Sequence, residues 1–333
     1  MENTSGMSAG KQKTILGIGG AHIDRRGRIA VDFVPGASNP GTMREEAGGG
    51  TFNALRNAVQ RGVGARMMSV RGGDAAGETV ARAIQAAGIR DLSVTFLDRV
   101  TPSYTALLDR HGDVVAALAD MGLYDLAFAK QLRRASARAA IAEADAIFTD
   151  ANLSAEALAR LPALAAAKPV FAIAISPAKA VRLKSILPAL SCLFLNAREA
   201  GALSGLGPDA PAPAMLDALK TLGLGRAVLS KGADPVLALD GGRIFSITPP
   251  SPKTIADVTG AGDALAGAAS AALLSGRPFS EAVREGMAAA LLALESADAA
   301  PLLTRDAFEA ALALVPPAET LHEAPNEGEA HVA

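Results

Sequence analysis

"DVTGAGDALAG", Asp257 to Gly267, places two glycines and two acids directly before a long run of alanine and leucine. Glycines suit a tight turn, and the apolar run behind them suits a buried helix. If Gly260, Ala261 and Gly262 lead into that helix, its first N–H groups lack intrahelical acceptors and its dipole favours negative charge. Such a turn can hold an anion. Asp263 then lies in the first helical turn, beside the anion. Two readings of Asp263 stay open on these letters alone. It offsets the positive end of the helix, or it takes a proton from an attacking hydroxyl.

Around this stretch the chain alternates strand and helix. "TILGIGG", Thr14 to Gly20, reads as a buried strand stopped by glycines, and "TFNALRNAVQRGV" from Thr51 has helical apolar spacing. "ARMMSVRG" reads as another core strand and "AGETVARAIQAAG" as a helix. Past Lys130, "AIFTD", "PVFAIAI", "CLFLN" and "RAVLSKG" each end in a polar residue, glycine or loop, with helical segments between most of them. That rhythm predicts an α/β fold with a mostly parallel central sheet covered by helices on both faces. "RGRIAVDFV" (Arg26 to Val34), "SVTFLDR" and "SYTALLDRHGDVVAALA" do not fit the rhythm. They predict a small antiparallel flap, with Asp109 to Asp113 as a hairpin turn. The expected organisation is a flexible N-terminus over 1–13, one domain over 14–315 with flap elements around 26–35 and 94–119, and a flexible acidic tail over 316–333. The last long helix is expected at Arg305 to Leu314.

Bulk composition narrows the function. The 333 residues are 50% apolar and 20% charged, which describes a folded protein able to bury a large core. A net charge of -2 without a basic stripe argues against a nucleic-acid polymer or anionic membrane as partner, and for a small molecule. The lone cysteine, Cys192, excludes an intramolecular disulfide framework and reads as a buried small side chain. The start, "MENTSGMSAGKQK", lacks the apolar segment of a secretory signal and no later stretch reads as a membrane span, so the cytoplasm is the expected compartment. No GxxxxGK[ST] loop occurs, and "GIGGAH" lacks the third glycine of a dinucleotide loop. His22 and Asp24 do not make a metal triad. In open sheets of this kind sites form at the carboxyl ends of strands, where Asp24, Asp150, Asn196 and Glu199 all fall.

"DVTGAGDALAG" closely resembles the carboxyl-terminal signature of the ribokinase-like (PfkB) carbohydrate kinases, DTxGAGD. "GGAHID" and "GGGTFNALRNAVQRG" resemble that family's sugar-binding half, and the resemblance spans roughly Ile15 to Leu314. It implies a ribokinase-like three-layer sandwich whose central sheet carries a small β-sheet lid. It also implies ATP as donor and Mg²⁺ as cofactor. Asp24 resembles the acid that binds sugar hydroxyls, and Gly49 and Asn53 a second sugar contact. Asn196 and Glu199 in "NAREA" match the NxxE motif, which organises Mg²⁺ indirectly. Asp263 matches the general base and Gly260, Ala261 and Gly262 the anion hole. Lys231 and Gly232 resemble the nucleotide loop, with Pro235 in place of its usual second glycine. Asp257, with nearby carbonyls, corresponds to a position that holds a monovalent cation such as K⁺ in several relatives.

Three stretches narrow the substrate. "GGAHIDRRG", "PGASNPG" and the lid segment ending in Asp120-Met121 resemble the pseudouridine kinase branch of the family, which phosphorylates a nucleoside 5′-hydroxyl. Asn39 is then a candidate to read the base, with a plain turn-forming loop as the alternative. Tyr104 or Met121 is a candidate to cover its face, with lid packing as the alternative for Tyr104. Asp150, at a strand end, joins the candidate substrate contacts. His22 stands where asparagine is common, and Phe52 departs from the residues usual before Asn53. Kinases of ribose, fructose, adenosine or another nucleoside therefore remain alternatives, as does a catalytically silent sugar-binding module. Pairing of two lids into a homodimer is a further expectation.

Overall fold

The computed structural model describes residues 12–296, 298 and 300–322. The chain opens with β1 (Thr14–Ile18), β2 (His22–Ile29) and β3 (Gly41–Gly48), then α1 (Gly50–Gln60), β4 (Gly64–Met68) and β5 (Val70–Gly72). Next come α2 (Ala75–Ala86), β6 (Arg90–Asp91), β7 (Val94–Phe96), β8 (Ser103–Leu108) and β9 (Val114–Asp120). α3 (Gly122–Gln131) and α4 (Ala135–Glu143) precede β10 (Ala146–Asp150), α5 (Ala155–Ala165), β11 (Val170–Ile173) and α6 (Pro177–Ala180). A 3₁₀ segment follows, then β12 (Cys192–Asn196), α7 (Ala197–Ser204), α8 (Ala212–Thr221), β13 (Arg226–Lys231), β14 (Asp234–Asp240) and β15 (Arg243–Ile247). The described chain closes with α9 (Ala261–Leu274), α10 (Phe279–Leu294), α11 (Arg305–Leu314) and β16 (Glu319–His322).

The large sheet has the order β16-β15-β14-β13-β12-β11-β10-β1-β4-β6. It is parallel from β13 to β6 and antiparallel from β13 to β16. Its inner strands carry apolar runs because both faces are covered. Successive side chains serve opposite cores: Leu16, Ile147 and Leu193 face one, while Ile15, Phe148 and Phe194 face the other. α3, α4, α5, α7 and α8 cover the first face, and α1, α2, α9, α10 and α11 the second. This is the three-layer sandwich expected from the sequence. Cys192 is fully buried in the second core, and burial pushes its thiol pKa up.

A separate sheet, β3-β2-β8-β9, forms the lid. It is mixed rather than antiparallel throughout, because β2 and β8 pair in parallel. The lid boundaries also differ from expectation. Residues 30–40 leave the sheet as a loop, and Val31, Phe33 and Val34 are exposed. The missed strand is β3, whose "GTMREEAG" is exposed over most of its length and shows no apolar alternation to reveal it. Val94–Phe96 lies outside the lid, pairing with β5. The Asp109–Asp113 turn does join β8 to β9, and the Asp109 carboxylate accepts from the N–H groups of His111 and Asp113. Part of the stretch read as a flexible tail, Glu319–His322, pairs with β15 instead. Residues 1–11 and 323–333 of the expected flexible ends lie outside the described residues.

Candidate active site

A cavity of about 590 Å³ lies at the carboxyl ends of the parallel strands, under the lid. It brings together Asp24, Gly49, Asn53, Tyr104, Met121, Asn196, Glu199, Gly260, Gly262 and Asp263. These residues are spread over 240 positions of sequence, and the sheet topology is what makes them neighbours.

The cavity floor is built by two helix starts. Gly260 is the N-cap of α9 at φ 83, a left-handed conformation open to glycine and costly for other residues. No side chain caps α9, so the first N–H groups of the helix remain available to an anion. Asp263 lies in the same turn, and Asn53 Nδ2 from α1 donates to its Oδ2 at 3.0 Å. Burial pushes the Asp263 pKa up to about 7; Asn53 works against the rise, while Asp150, Asp24 and Glu199 add to it. A carboxylate that titrates near neutrality is matched to proton abstraction.

Asp24, which also lines the cavity, is backed by His22 and Tyr124. Tyr124, fully buried on α3, accepts from the Ala21 N–H at 3.0 Å and lies 3.2 Å from His22 Nδ1. Burial pushes its phenol pKa far up, so the hydroxyl stays protonated. His22 Nε2 lies 3.3 Å from Asp24 Oδ1. His22 therefore orients the Asp24 carboxylate. Gly48 makes room for that carboxylate: a Cβ there would lie 2.0 Å from Asp24 Oδ2.

Asn196 and Glu199 form a capping box at the start of α7. The Asn196 side chain accepts from the Glu199 N–H at 3.0 Å, and the Asn196 N–H donates to Glu199 Oε2 at 2.9 Å. Burial raises the Glu199 pKa, partly offset by the hydrogen bonds from Asn196. Asp24, Glu199 and Asp263 thus line one cavity as three acids, a donor set short of positive charge. Mg²⁺ keeps most of its waters and needs only one or two protein carboxylates, so these residues fit it. Among the described residues no group of three His, Cys, Asp or Glu forms a closed metal cage.

Other expected residues lie elsewhere. Asp150 is fully buried behind the cavity: its Oδ2 accepts from Gly20 N, Thr51 N and Thr51 Oγ1, and its Oδ1 from Asn152 N, all within 3.0 Å. It ties the β1 loop to the start of α1 and does not face the substrate space. Asn39 is turned into its own loop, with its amide bonded to Val34 and Ala37, and it does not reach the cavity. Lys231 is exposed and pairs with Asp234 at 3.3 Å, and Gly232 (φ 58) makes the turn from β13 to β14. Both lie outside the cavity lining. Asp257 accepts from the Thr259 N–H and is paired with the Arg26 guanidinium. Burial alone would raise its pKa, but Thr259 and Arg26 outweigh it and hold the carboxyl below its usual range.

The structure adds residues that the sequence reading missed. Lys179, after β11, lines the cavity and donates to Asn152 Oδ1 at 2.6 Å; burial lowers its pKa. Asn152 Nδ2 is buried beside the cavity and has no hydrogen-bond partner among the described residues. Ile175, also lining it, has φ 71, a strained value for a β-branched residue. The signal for Lys179 was its position past a strand's carboxyl end, the same rule that found Asn196.

The pfkB family carbohydrate kinase model matches residues 17–305, and the chain belongs to that family. It is a sugar or nucleoside kinase, a phosphotransferase with an alcohol acceptor. It is 31% identical over 280 residues to the pseudouridine kinase of Escherichia coli K12, covering 83% of this chain and 89% of the relative. A stretch of 109 residues, 32% of this chain and 37% of the relative, is 37% identical to the cytidine kinase of Thermococcus kodakarensis. Among solved structures, a carbohydrate kinase from Agrobacterium tumefaciens is 47% identical, with TM-score 0.82 over 93% of this chain and all of that one. Arabidopsis thaliana ribokinase, solved with ribose and ATP, shares the fold at TM-score 0.79 and 18% identity, over 90% of this chain and 99% of that one.

Proposed function

We propose that this protein transfers the γ-phosphoryl group of ATP to the 5′-hydroxyl of a nucleoside, and that its substrate is pseudouridine. The observation that carries the reading is Asp263, a carboxylate with pKa raised to about 7 at an uncapped helix start, in one cavity with Asp24. The relative named as a pseudouridine kinase, matched over 83% of this chain, supports a nucleoside acceptor.

In this mechanism Asp24, oriented by His22, accepts hydrogen bonds from the ribose hydroxyls, while Tyr104 and Met121 cover the base. Asp263 takes the proton of the 5′-hydroxyl as its oxygen bonds to the γ-phosphorus. The bond from that phosphorus to the bridging oxygen breaks, and the electron pair leaves with ADP. The first N–H groups of α9 stabilise charge on the transferring group. Asn196 and Glu199 would hold Mg²⁺ through water and phosphate, where it neutralises charge on the phosphates. Lys231 and Gly232 serve the nucleotide from the β13–β14 turn. The lid limits water as a competing acceptor.

ATP consumption fits a cytoplasmic setting, and no helix among the described residues is long and apolar enough to cross a membrane. Exposed Met43, Val114 and Leu118 on the two edge strands of the lid support pairing of lids between two copies, which sedimentation would read as a dimer.

The substrate reading is tested by Mg-ATP-dependent phosphorylation of pseudouridine, uridine, cytidine, adenosine, ribose and fructose. Product mass is read alongside ADP release. A kcat/KM highest for pseudouridine supports the proposal. A preference for ribose or fructose keeps the chemistry and overturns the substrate.

A further inference from the structure

Asp24 and Arg26 lie two residues apart on β2 and therefore project from the same face of the lid. Asp24 reaches the cavity. Arg26 reaches the loop that leads into the anion hole, where its guanidinium pairs with Asp257, six residues before Asp263. Both side chains are largely shielded from water, at 20% and 25% exposure, so the pair is less screened than an ordinary surface contact. Arg26 also lies 3.6 Å from Glu46 on β3, and Arg44 bridges Glu46 to Asp298 beyond α10. Three carboxylates and two guanidinium groups thus form a chain from the anion-hole loop through the lid to the segment after α10.

This arrangement disagrees with a monovalent cation at Asp257. One Asp257 oxygen accepts from the Thr259 N–H and the other is held by Arg26. A cation placed there would meet a like charge that cannot be deprotonated. We propose that Arg26 is the resident cation of Asp257: its guanidinium fixes the loop before the anion hole, and the enzyme needs no monovalent metal ion. Arg26 is a positioning residue. It acts on the transferred phosphate through the backbone from Asp257 to Gly260.

The inference rests on Gly260–Gly262 as the anion hole, whichever hydroxyl compound is the substrate. Two readouts test it, in KCl and in tetramethylammonium chloride at matched ionic strength. The first is the melting temperature without substrate, which a bound cation would raise by mass action. The second is turnover with the best acceptor. Wild type is expected to melt within about 1 °C and turn over within about twofold in the two salts. Arg26→Gln frees Asp257. It is expected to lose about tenfold or more of its turnover in tetramethylammonium, and K⁺ is expected to restore part of the loss and raise its melting temperature. Wild-type activation by K⁺ of about tenfold or a clear K⁺ shift of its melting point overturns the proposal. So does an Arg26→Gln enzyme indistinguishable from wild type in both salts. An absence of turnover in every sample would contradict the kinase reading, and the melting comparison would still decide the cation question.

Discussion

The Asn53 side-chain amide donates to Asp263 Oδ2 at 3.0 Å, joining the starts of α1 and α9 through one carboxylate. This bond is the main favourable contact that the Asp263 carboxylate has against burial and against three neighbouring acids. It therefore lowers the pH at which the base becomes available.

The activity is predicted to rise with pH through about 7, because Asp263 must lose its proton before it can accept another. Asn53→Leu removes the donor that favours the charged form, so the inflection should move to higher pH. A pH profile of kcat/KM for both enzymes checks this, and an unchanged inflection contradicts it.

Stability should move in the opposite direction. A carboxyl whose folded pKa is raised binds its proton more tightly in the folded state, so its contribution is complete below about pH 4 and is lost as pH rises through about 7. Asp263→Asn should flatten that part of the stability curve. Urea unfolding at several pH values between the two limits reads the slope.

His22→Ala should raise the nucleoside KM by about tenfold while changing kcat by less than about threefold, because Asp24 loses its orienting partner but the base is untouched. Tyr124→Phe should act the same way and more weakly. Gly48→Ala places a Cβ 2.0 Å from Asp24 Oδ2, so Asp24 must shift and the KM should rise further. Equal losses of kcat across the three variants would place His22 in the chemical step instead.

Glu199→Gln separates capping from chemistry. Glutamine preserves a capping box, so the stability change should stay within about 1 kcal/mol. The loss of a carboxylate should nevertheless raise the Mg²⁺ concentration for half-maximal activity by about tenfold. Mg²⁺ titration of both enzymes, with thermal melts as control, tests the split.

In the large sheet β1, β4 and β10 to β13 were legible as apolar runs, a pattern that burial on both faces enforces. By contrast, β6 and the antiparallel β14 to β16 were not read as strands. β3 was not legible either, since an exposed lid strand is specified by pairing with β2 and not by side-chain burial. The candidate base and anion hole could be read from Gly260 to Asp263 because a helix start has a local signature. Asp150 and Asn39 could not be placed that way. Whether a polar side chain faces a ligand or satisfies backbone N–H groups depends on neighbours distant in sequence, here Gly20 and Thr51 for Asp150. The Arg26–Asp257 pair spans 231 positions and leaves no local trace.

The most direct test of the account compares wild type with Asp263→Asn on pseudouridine and Mg-ATP, with the product followed by phosphorus NMR. The account predicts a 5′-phosphomonoester from wild type. For the variant it predicts turnover about 10²–10⁴-fold lower, with nucleoside affinity retained. Phosphate on another hydroxyl, or an Asp263→Asn enzyme as fast as wild type, would contradict the account.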